Sequence, residues 1–591
     1  MPYFSFGSRT FEYGFSPLPE KITVGDSDIL AAPASLCLTG SDGKKLVWVD
    51  EKPFQVRVED HTETWSFSGY SEEASMIFNA SIRAEEDGYI WCDLVFVPRW
   101  YQKPSFSSLC LEIPLKSSIA CLVNACSLQT ALPQEACGEL PSEGIKLPFV
   151  PSIWLGCEES GLCLTMETDA EILSADKQSV IEVVPDGDAA VLRVHLFDSV
   201  PKGWESDSPP AVFGFGLHAT PVKVFKDIPG IGRTLHVNIE SLYNPKFENT
   251  AKQGIKYIIF HENWSIVQNY GFPRSDDEIK EQVRRCHDMG MKTLAYFGYE
   301  YASNNTDFAE NWSRYLIRSP EGRLRGGYER HSPSQRDFIV CYNSRYADTL
   351  IERVHVAMDV YGFDGIYTDG TLMVFPCANE AHGCGKRDRN GELHYTFPIR
   401  AWRDMWKRLA ETVHSRGGII DSHNGGYCFS ALYPFTDTIL DGEALQEKFF
   451  SDMSTFSDVG LLRSQFGGKN FGLPTYFIIY HNELIDPLIA CGIEPRFCSF
   501  EGVEHISSIW KEMDAFGTDN AEFLPPWDKS GRLSVSDSGL IRSGWIKKGG
   551  DNGALVVIYN PGKEDKTVSA AVSGRSKEVS VPAGELRLVV I

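Results

Sequence analysis

No uncharged apolar run approaches the roughly 18 residues that a membrane-spanning helix needs, and none is expected in this 591-residue chain. Positive charge is also scarce. Lys and Arg number 56 against 80 Asp and Glu, a formal balance of −24. That sign speaks against a nucleic-acid backbone or an anionic membrane as partner, and its plain reading is solubility. The opening MPYFSFGSRTFEYGF has no basic segment followed by an apolar one, so no signal peptide is expected and the protein reads as cytoplasmic. A phosphate loop is missing, since Gly230-Ile231-Gly232 stands without the rest of a dinucleotide fingerprint. There is no G-x-S-x-G elbow, no internal repeat and no low-complexity tract. No cofactor is expected.

What the chain does have begins with fifteen cysteines, an odd number. Several lie in apolar runs (Cys37, Cys110, Cys121, Cys126, Cys341), which suits reduced, packed thiols rather than a disulfide framework. Aromatic residues are plentiful, with 13 Trp, 23 Tyr and 35 Phe. Large cores use such rings, and so do sugar-binding clefts.

Three textures follow one another. Up to about residue 235 the chain is a series of short alternating runs such as SMIFNASIRA (75–84), YIWCDLVFVP (89–98) and AVLRVHLF (190–197). Long amphipathic helices are missing there, which predicts a large antiparallel β-sandwich. From 236 to 516 strands alternate with helices. GIKYIIF (254–260) precedes SDDEIKEQVRRCHDMG, in which Ser275 and Glu278 form a capping box and Gly290 ends the helix. The strands MKTLAYFG (291–298), DFIVCYN (337–343), GIYTDG, GGIIDSHNG (417–425), DTILDGE (437–443) and TYFIIYHN (475–482) follow, with an eighth placed near Arg496–Phe500. This alternation predicts a (β/α)8 barrel. From 517 to 591 the β texture returns, predicting a small C-terminal sandwich. The expected fold class is therefore multidomain, α/β and β, with a central barrel between two sandwiches.

Within the barrel, GFDGIYTDG carries two aspartates. Catalytic groups in such barrels sit where strands end. Asp364 enters its strand and reads as a structural group at the bottom. Asp369 leaves it, on the same face as Tyr367 by alternation. The other strand ends are polar too. They carry His261-Glu262 with Trp264, Tyr299-Glu300, Asn343, His423-Asn424, Asp441-Gly442-Glu443, and His481. Together they describe a cup of carboxylates, imidazoles, amides and rings, suited to a polyhydroxylated ligand, with paired carboxylates suited to glycosidic cleavage.

DGIYTDGT, CANEAHGCG (377–385), TFPIRAWRDMWKRL (396–409) and TDTILDGE (436–443) resemble bacterial glycoside-hydrolase-like proteins. PFVPSIWLGCEESGLCLTMETD (148–169) resembles the sandwich ahead of the family 123 β-N-acetylgalactosaminidase barrel. That family's adjacent Asp-Glu pair is not matched, since Gly370 follows Asp369. The layout is more similar to the α-galactosidase clan, where a nucleophilic Asp ends strand four and a carboxylic acid/base ends strand six. The resemblance thus implies Asp369 as nucleophile and Glu443 as acid/base, with Asp441 in reserve. It implies retention of configuration and a terminal galactose or N-acetylgalactosamine-type sugar. The expected partner is a carbohydrate, not nucleic acid or membrane, and self-association stays open.

Two rival readings share these residues. One is a catalytically silent carbohydrate-binding protein, because fold does not fix function. The other is a metal-dependent hydrolase using His261, His423 and His481. Separately, Cys377, His382, Cys384 and His394 crowd one loop, where zinc, a disulfide or ordinary thiols are all open.

Overall fold

The structure is a computed structural model that describes all residues except 60–61, 127–135, 268–270, 330–331, 427 and 549–552. The first 220 residues form antiparallel sheets of four, ten and six strands. Strand Met76–Ala84 shows why. Met76, Phe78, Ala80, Ile82 and Ala84 are buried while their neighbours face outward, the period of two that a pleated strand imposes. The ten- and six-stranded sheets enclose Phe78, Phe96, Leu111, Ile113, Leu192 and Phe197 between them. The ten-stranded sheet is covered on its other face as well, since Tyr89, Trp91 and Trp154 pack into the same core as the barrel. Trp154 meets Phe471 at 5.0 Å between ring centres. A hydrogen bond joins the His218 imidazole to the Ser430 carbonyl at 3.1 Å.

The centre is a closed barrel of eight parallel strands. They are β1 (Thr234–Val237), β2 (Tyr257–Phe260), β3 (Lys292–Phe297), β4 (Gly365–Thr368), β5 (Ile419–His423), β6 (Thr438–Asp441), β7 (Thr475–Ile479) and β8 (Pro495–Phe497). Arg496 of β8 crosses the interior to Asp421 of β5, both fully buried. The Tyr476 ring lies 4.1 Å from that guanidinium.

Two expectations about the strands are corrected here. DFIVCYN does not enter the barrel. Its strand part, Asp337–Ile339, joins Glu300–Ala302 and Gly326–Tyr328 in a separate antiparallel sheet. The barrel instead pairs β3 directly with β4, Tyr296 opposite Tyr367. The missing strand is β1, which no run marked. The two errors cancel, so Asp369 still follows the fourth strand.

Helix α1 (Asp276–Asp288) begins as expected, with the Ser275 hydroxyl accepting from the Glu278 N–H at 3.2 Å. The capping box is half used, because the Glu278 carboxylate takes a hydrogen bond from the Tyr243 hydroxyl at 2.6 Å. Helix α2 (Tyr346–Asp359) buries Ala347, Leu350, Ile351, Val354 and Met358 along one stripe, the spacing that suits a 3.6-residue turn. Helix α3 (Ile399–His414) buries Trp402, Arg403, Trp406 and Leu409 and carries the main polar tie to the N-terminal sheets. Helix α4 (Phe500–Phe516) closes the barrel. Beyond it, sheets of four and three strands pack around Val556, Ile558, Val568, Ala570 and Val581. Among the described residues no helix is long and apolar enough to cross a membrane.

Candidate active site

The two aspartates of GFDGIYTDG part company as the strand direction requires. Asp364, at the entry of β4, accepts from the Thr293 N–H at 2.8 Å and lies 2.7 Å from His287 Nε2. It ties β4 to β3 and α1 at the bottom of the barrel. Asp369, at the exit, lies at the opposite mouth. The residue after it must be glycine. Gly370 has φ +64°, and a Cβ there would stand 2.1 Å from the Tyr299 ring. An adjacent Asp-Glu pair has no room at this turn.

Asp369 lines a cleft of about 340 Å³ together with His236, His261, Glu262, Tyr296, Tyr367, His423, Glu443, Tyr480 and Cys498. Its two oxygens are separately engaged. Oδ2 accepts from the Tyr296 hydroxyl at 2.6 Å, and Oδ1 is 2.7 Å from His423 Nδ1. Burial pushes the Asp369 carboxyl up, but His423, Tyr296 and the nearby His261 outweigh it and hold the group at about 2. The same balance acts on His423. Burial pulls its imidazole down, while Asp369, then Glu443 and Asp441, raise it to about 9. At neutral pH His423 is therefore an imidazolium. One nitrogen serves Asp369. The other, Nε2, has no hydrogen-bond partner among the described residues and lies 3.5 Å from Glu443 Oε2. Glu443 is half exposed, and its Oε1 accepts from the Tyr480 hydroxyl at 3.0 Å. His236 stays neutral, because burial and then the neighbouring His261, Arg496 and His423 hold it well below the ordinary histidine range. Its ring meets Tyr367 edge-on at 5.0 Å.

The remaining expected site residues lie outside this lining. Asp441 is 1% exposed and committed, Oδ2 to the Asn424 amide at 2.9 Å and Oδ1 to the Gly442 N–H at 2.7 Å. The turn at Gly442, φ +95°, separates it from Glu443. Trp264 is buried and donates to the Tyr296 carbonyl at 2.9 Å. Tyr299 stacks on Phe375, Glu300 is buried in the side sheet, and Asn343 donates to the His382 carbonyl at 2.9 Å. His481 stacks on Phe450 and reaches Glu447 at 3.1 Å, so His261, His423 and His481 do not converge as a ligand set. The expected loop cluster is also rearranged. His394 turns away to Asp169 at 3.0 Å, and Cys341 joins Cys377, His382 and Cys384 in its place. Sequence reasoning missed His236, Tyr296, Tyr480 and Cys498. Tyr296 gave no signal in the sequence, and only the barrel register sets it level with Tyr367.

The Asp369–His423 pair makes stability depend on pH in a set direction. The carboxyl is depressed from its ordinary value of about 3.9, so its contribution is complete above that value and lost as pH falls toward 2. The imidazole is raised from about 6.5, so its contribution is complete below that value and lost as pH rises through 9. The stability gap between the wild type and His423→Gln, read from urea midpoints across pH, is expected to narrow between about 6.5 and 9. A gap constant through pH 10 would contradict the pairing.

The fold and this mouth define a three-part architecture, a (β/α)8 barrel held between two β domains. No family model matches the chain, and no curated protein matches its sequence. Solved structures do. The galactosidase domain of an α-galactosidase–sucrose kinase superposes over all of this chain and 98% of its own, with a TM-score of 0.51 at 11% identity. A GH36 α-galactosidase from Geobacillus stearothermophilus, solved with raffinose, covers 96% of this chain and 89% of its own, at TM-score 0.48 and 10% identity. An α-N-acetylgalactosaminidase from Bifidobacterium bifidum covers 94% and 98%, at TM-score 0.40 and 11% identity. The chain shares the fold of the first of these.

Proposed function

We propose that the protein is an exo-acting glycoside hydrolase that removes a terminal galactose- or N-acetylgalactosamine-type sugar by a two-carboxylate mechanism. The carrying observation is that Asp369 is held ionised at the end of β4 while Glu443 faces the same cleft from the end of β6. The cleft is at the small end of the roughly 300–1,000 Å³ of ligand pockets, which suits a single terminal ring. The shared fold with a galactosidase domain favours the sugar class.

In this reading Asp369 attacks the anomeric carbon as the bond to the leaving oxygen breaks, and the Glu443 carboxylic acid gives that oxygen its proton. Glu443, now a carboxylate, takes a proton from water, and the water displaces Asp369. The net reaction retains configuration. His423 and Tyr296 fix the attacking carboxylate and keep it charged.

One observation favours a second reading, an inverting hydrolase. The His423 ring faces both carboxylates, Nδ1 at 2.7 Å from Asp369 Oδ1 and Nε2 at 3.5 Å from Glu443 Oε2. Retention works with carboxyl groups about 5–5.5 Å apart, whereas a wider gap of about 6.5–9.5 Å admits the inverting water. A panel of α- and β-aryl galactosides and N-acetylgalactosaminides, followed by NMR of the first sugar released, separates these readings. Retention is expected. The opposite anomer would select inversion, and no hydrolysis across the panel would leave the silent sugar-binding protein.

A further inference from the structure

Away from the cleft, three thiols and an imidazole converge. Cys341, Cys377 and Cys384 are each fully buried, and His382 closes the group. Their four ligand atoms all lie within 4.8 Å of one another. We propose that they form a structural zinc site with a Cys3His ligand set.

Three features carry this. The first is spacing. Sulfurs bound to one tetrahedral zinc at about 2.3 Å must sit about 3.8 Å apart. Cys341 Sγ and Cys384 Sγ are 3.7 Å apart, and Cys377 Sγ is 3.2 Å from His382 Nε2. A disulfide would need about 2.05 Å. The second is the histidine tautomer. His382 Nδ1 lies 2.6 Å from the Arg314 carbonyl, which can only accept, so Nδ1 carries the proton. The Nε2 lone pair is thereby left toward the thiols, the arrangement by which a backbone carbonyl orients a metal-binding imidazole. The third is the treatment of the sulfurs. The Asn379 N–H donates to Cys377 Sγ at 3.4 Å, and the Asn343 amide donates to Cys384 Sγ at 3.5 Å. Donors aimed at sulfur suit thiolates, and three thiolates with a neutral imidazole balance a divalent soft ion to one residual negative charge.

All four positions are filled by protein, so no ligand site stays open for chemistry, which marks the centre as structural. Its place says what it would hold. Cys341 follows the side-sheet strand Asp337–Ile339, and Cys377, His382 and Cys384 lie in the loop after β4. Arg314 belongs to the helix Phe308–Tyr315. One ion would pin these three segments together. The same loop carries Phe375, which stacks on Tyr299 at 5.2 Å, and Tyr299 in turn lies against Gly370 beside Asp369. The zinc would brace one wall of the active site without touching substrate.

The test is metal content and ligand identity in the full-length protein. Purified under reducing conditions and dialysed, it is expected to retain about one zinc per chain. X-ray absorption at the zinc edge should show three sulfurs near 2.3 Å and one nitrogen near 2.0–2.1 Å. Cys384→Ala should lose the metal, and Cys37→Ser, remote from the cluster, should keep it. Because absorption is read on the wild type, a misfolded Cys384→Ala does not spare the proposal. Wild-type protein without zinc, a zinc site lacking sulfur, or an intact mass lower by two hydrogens from a Cys341–Cys384 disulfide would each overturn it.

Discussion

Asp369→Ala is expected to be inactive on every aryl glycoside, whatever the leaving group, because a nucleophile is needed in every turnover. Glu443→Ala should fail differently. General acid catalysis contributes about 10²–10⁴-fold and matters most when the leaving oxygen is poor. With an activated aryl leaving group, this variant should still form the glycosyl–enzyme and then stall, since its base role is lost too. Azide needs no base, so adding it should restore turnover and yield a glycosyl azide. Asp441→Ala is the control. Its carboxylate is buried and already satisfied by Asn424 and Gly442, so any loss there should be one of stability, and azide should not repair it. Rescue of Asp441→Ala with Glu443→Ala left dead would reverse the assignment of the two carboxylates.

Arg403→Ala is expected to be the most damaging single change to stability away from the site. Arg403 of α3 is 1% exposed and meets Glu85, itself 3% exposed, at 2.7 Å and Asp87 at 2.8 Å. It also donates to the Ala431 carbonyl and lies 4.1 Å from the Tyr89 ring. Burial acts on all three charges, yet their mutual attraction outweighs it and keeps both carboxyls below the ordinary range and the guanidinium above its own. Removing the cation takes the guanidinium from Asp87 at the join of sandwich and barrel, while Glu85 keeps Arg83 at 2.8 Å and Lys407. Breaking a buried pair in this way costs about 3–5 kcal/mol. A urea titration of Arg403→Ala should show that loss, and Asp87→Asn should recover part of it in the double variant, because the charge left without its guanidinium is then gone. A loss below about 1 kcal/mol would mean the network is no more than a surface pair.

The sequence carried the architecture better than it carried the lining of the site. The alternation of 75–84 and the helix stripe of Ala347, Leu350, Ile351 and Val354 could each be read directly, because burial on one face leaves a period in the residues. β1 could not, since Thr234–Val237 offers only two apolar residues, Leu235 and Val237, over four positions, too short an alternation to mark a strand. DFIVCYN was misplaced for a related reason: an apolar run states that a strand is buried, not which sheet receives it. Asp369, Glu443, His261, Glu262, Tyr367 and His423 were reachable because they end strands or share a face with a strand end. His236 and Tyr296 sit within strands, where an apolar context reads as core. Asp441 and Trp264 show the converse. Both lie at or beyond strand ends, but their side chains are spent on holding neighbours. The loop cysteines were visible as a group, but Cys341 comes from a segment 36 residues earlier than Cys377, and only the folded chain brings it in.

The central claim, that Asp369 is the nucleophile, is most directly read by trapping. A 2-deoxy-2-fluoro galactoside with an activated leaving group slows both steps but the second more, so the glycosyl–enzyme should accumulate. Intact mass should rise by one fluoroglycosyl unit, and peptide mapping should place the label on Asp369, with none on the Asp369→Ala variant. Label on Glu443 or another residue, or no label from an enzyme that hydrolyses the parent galactoside, would contradict the account.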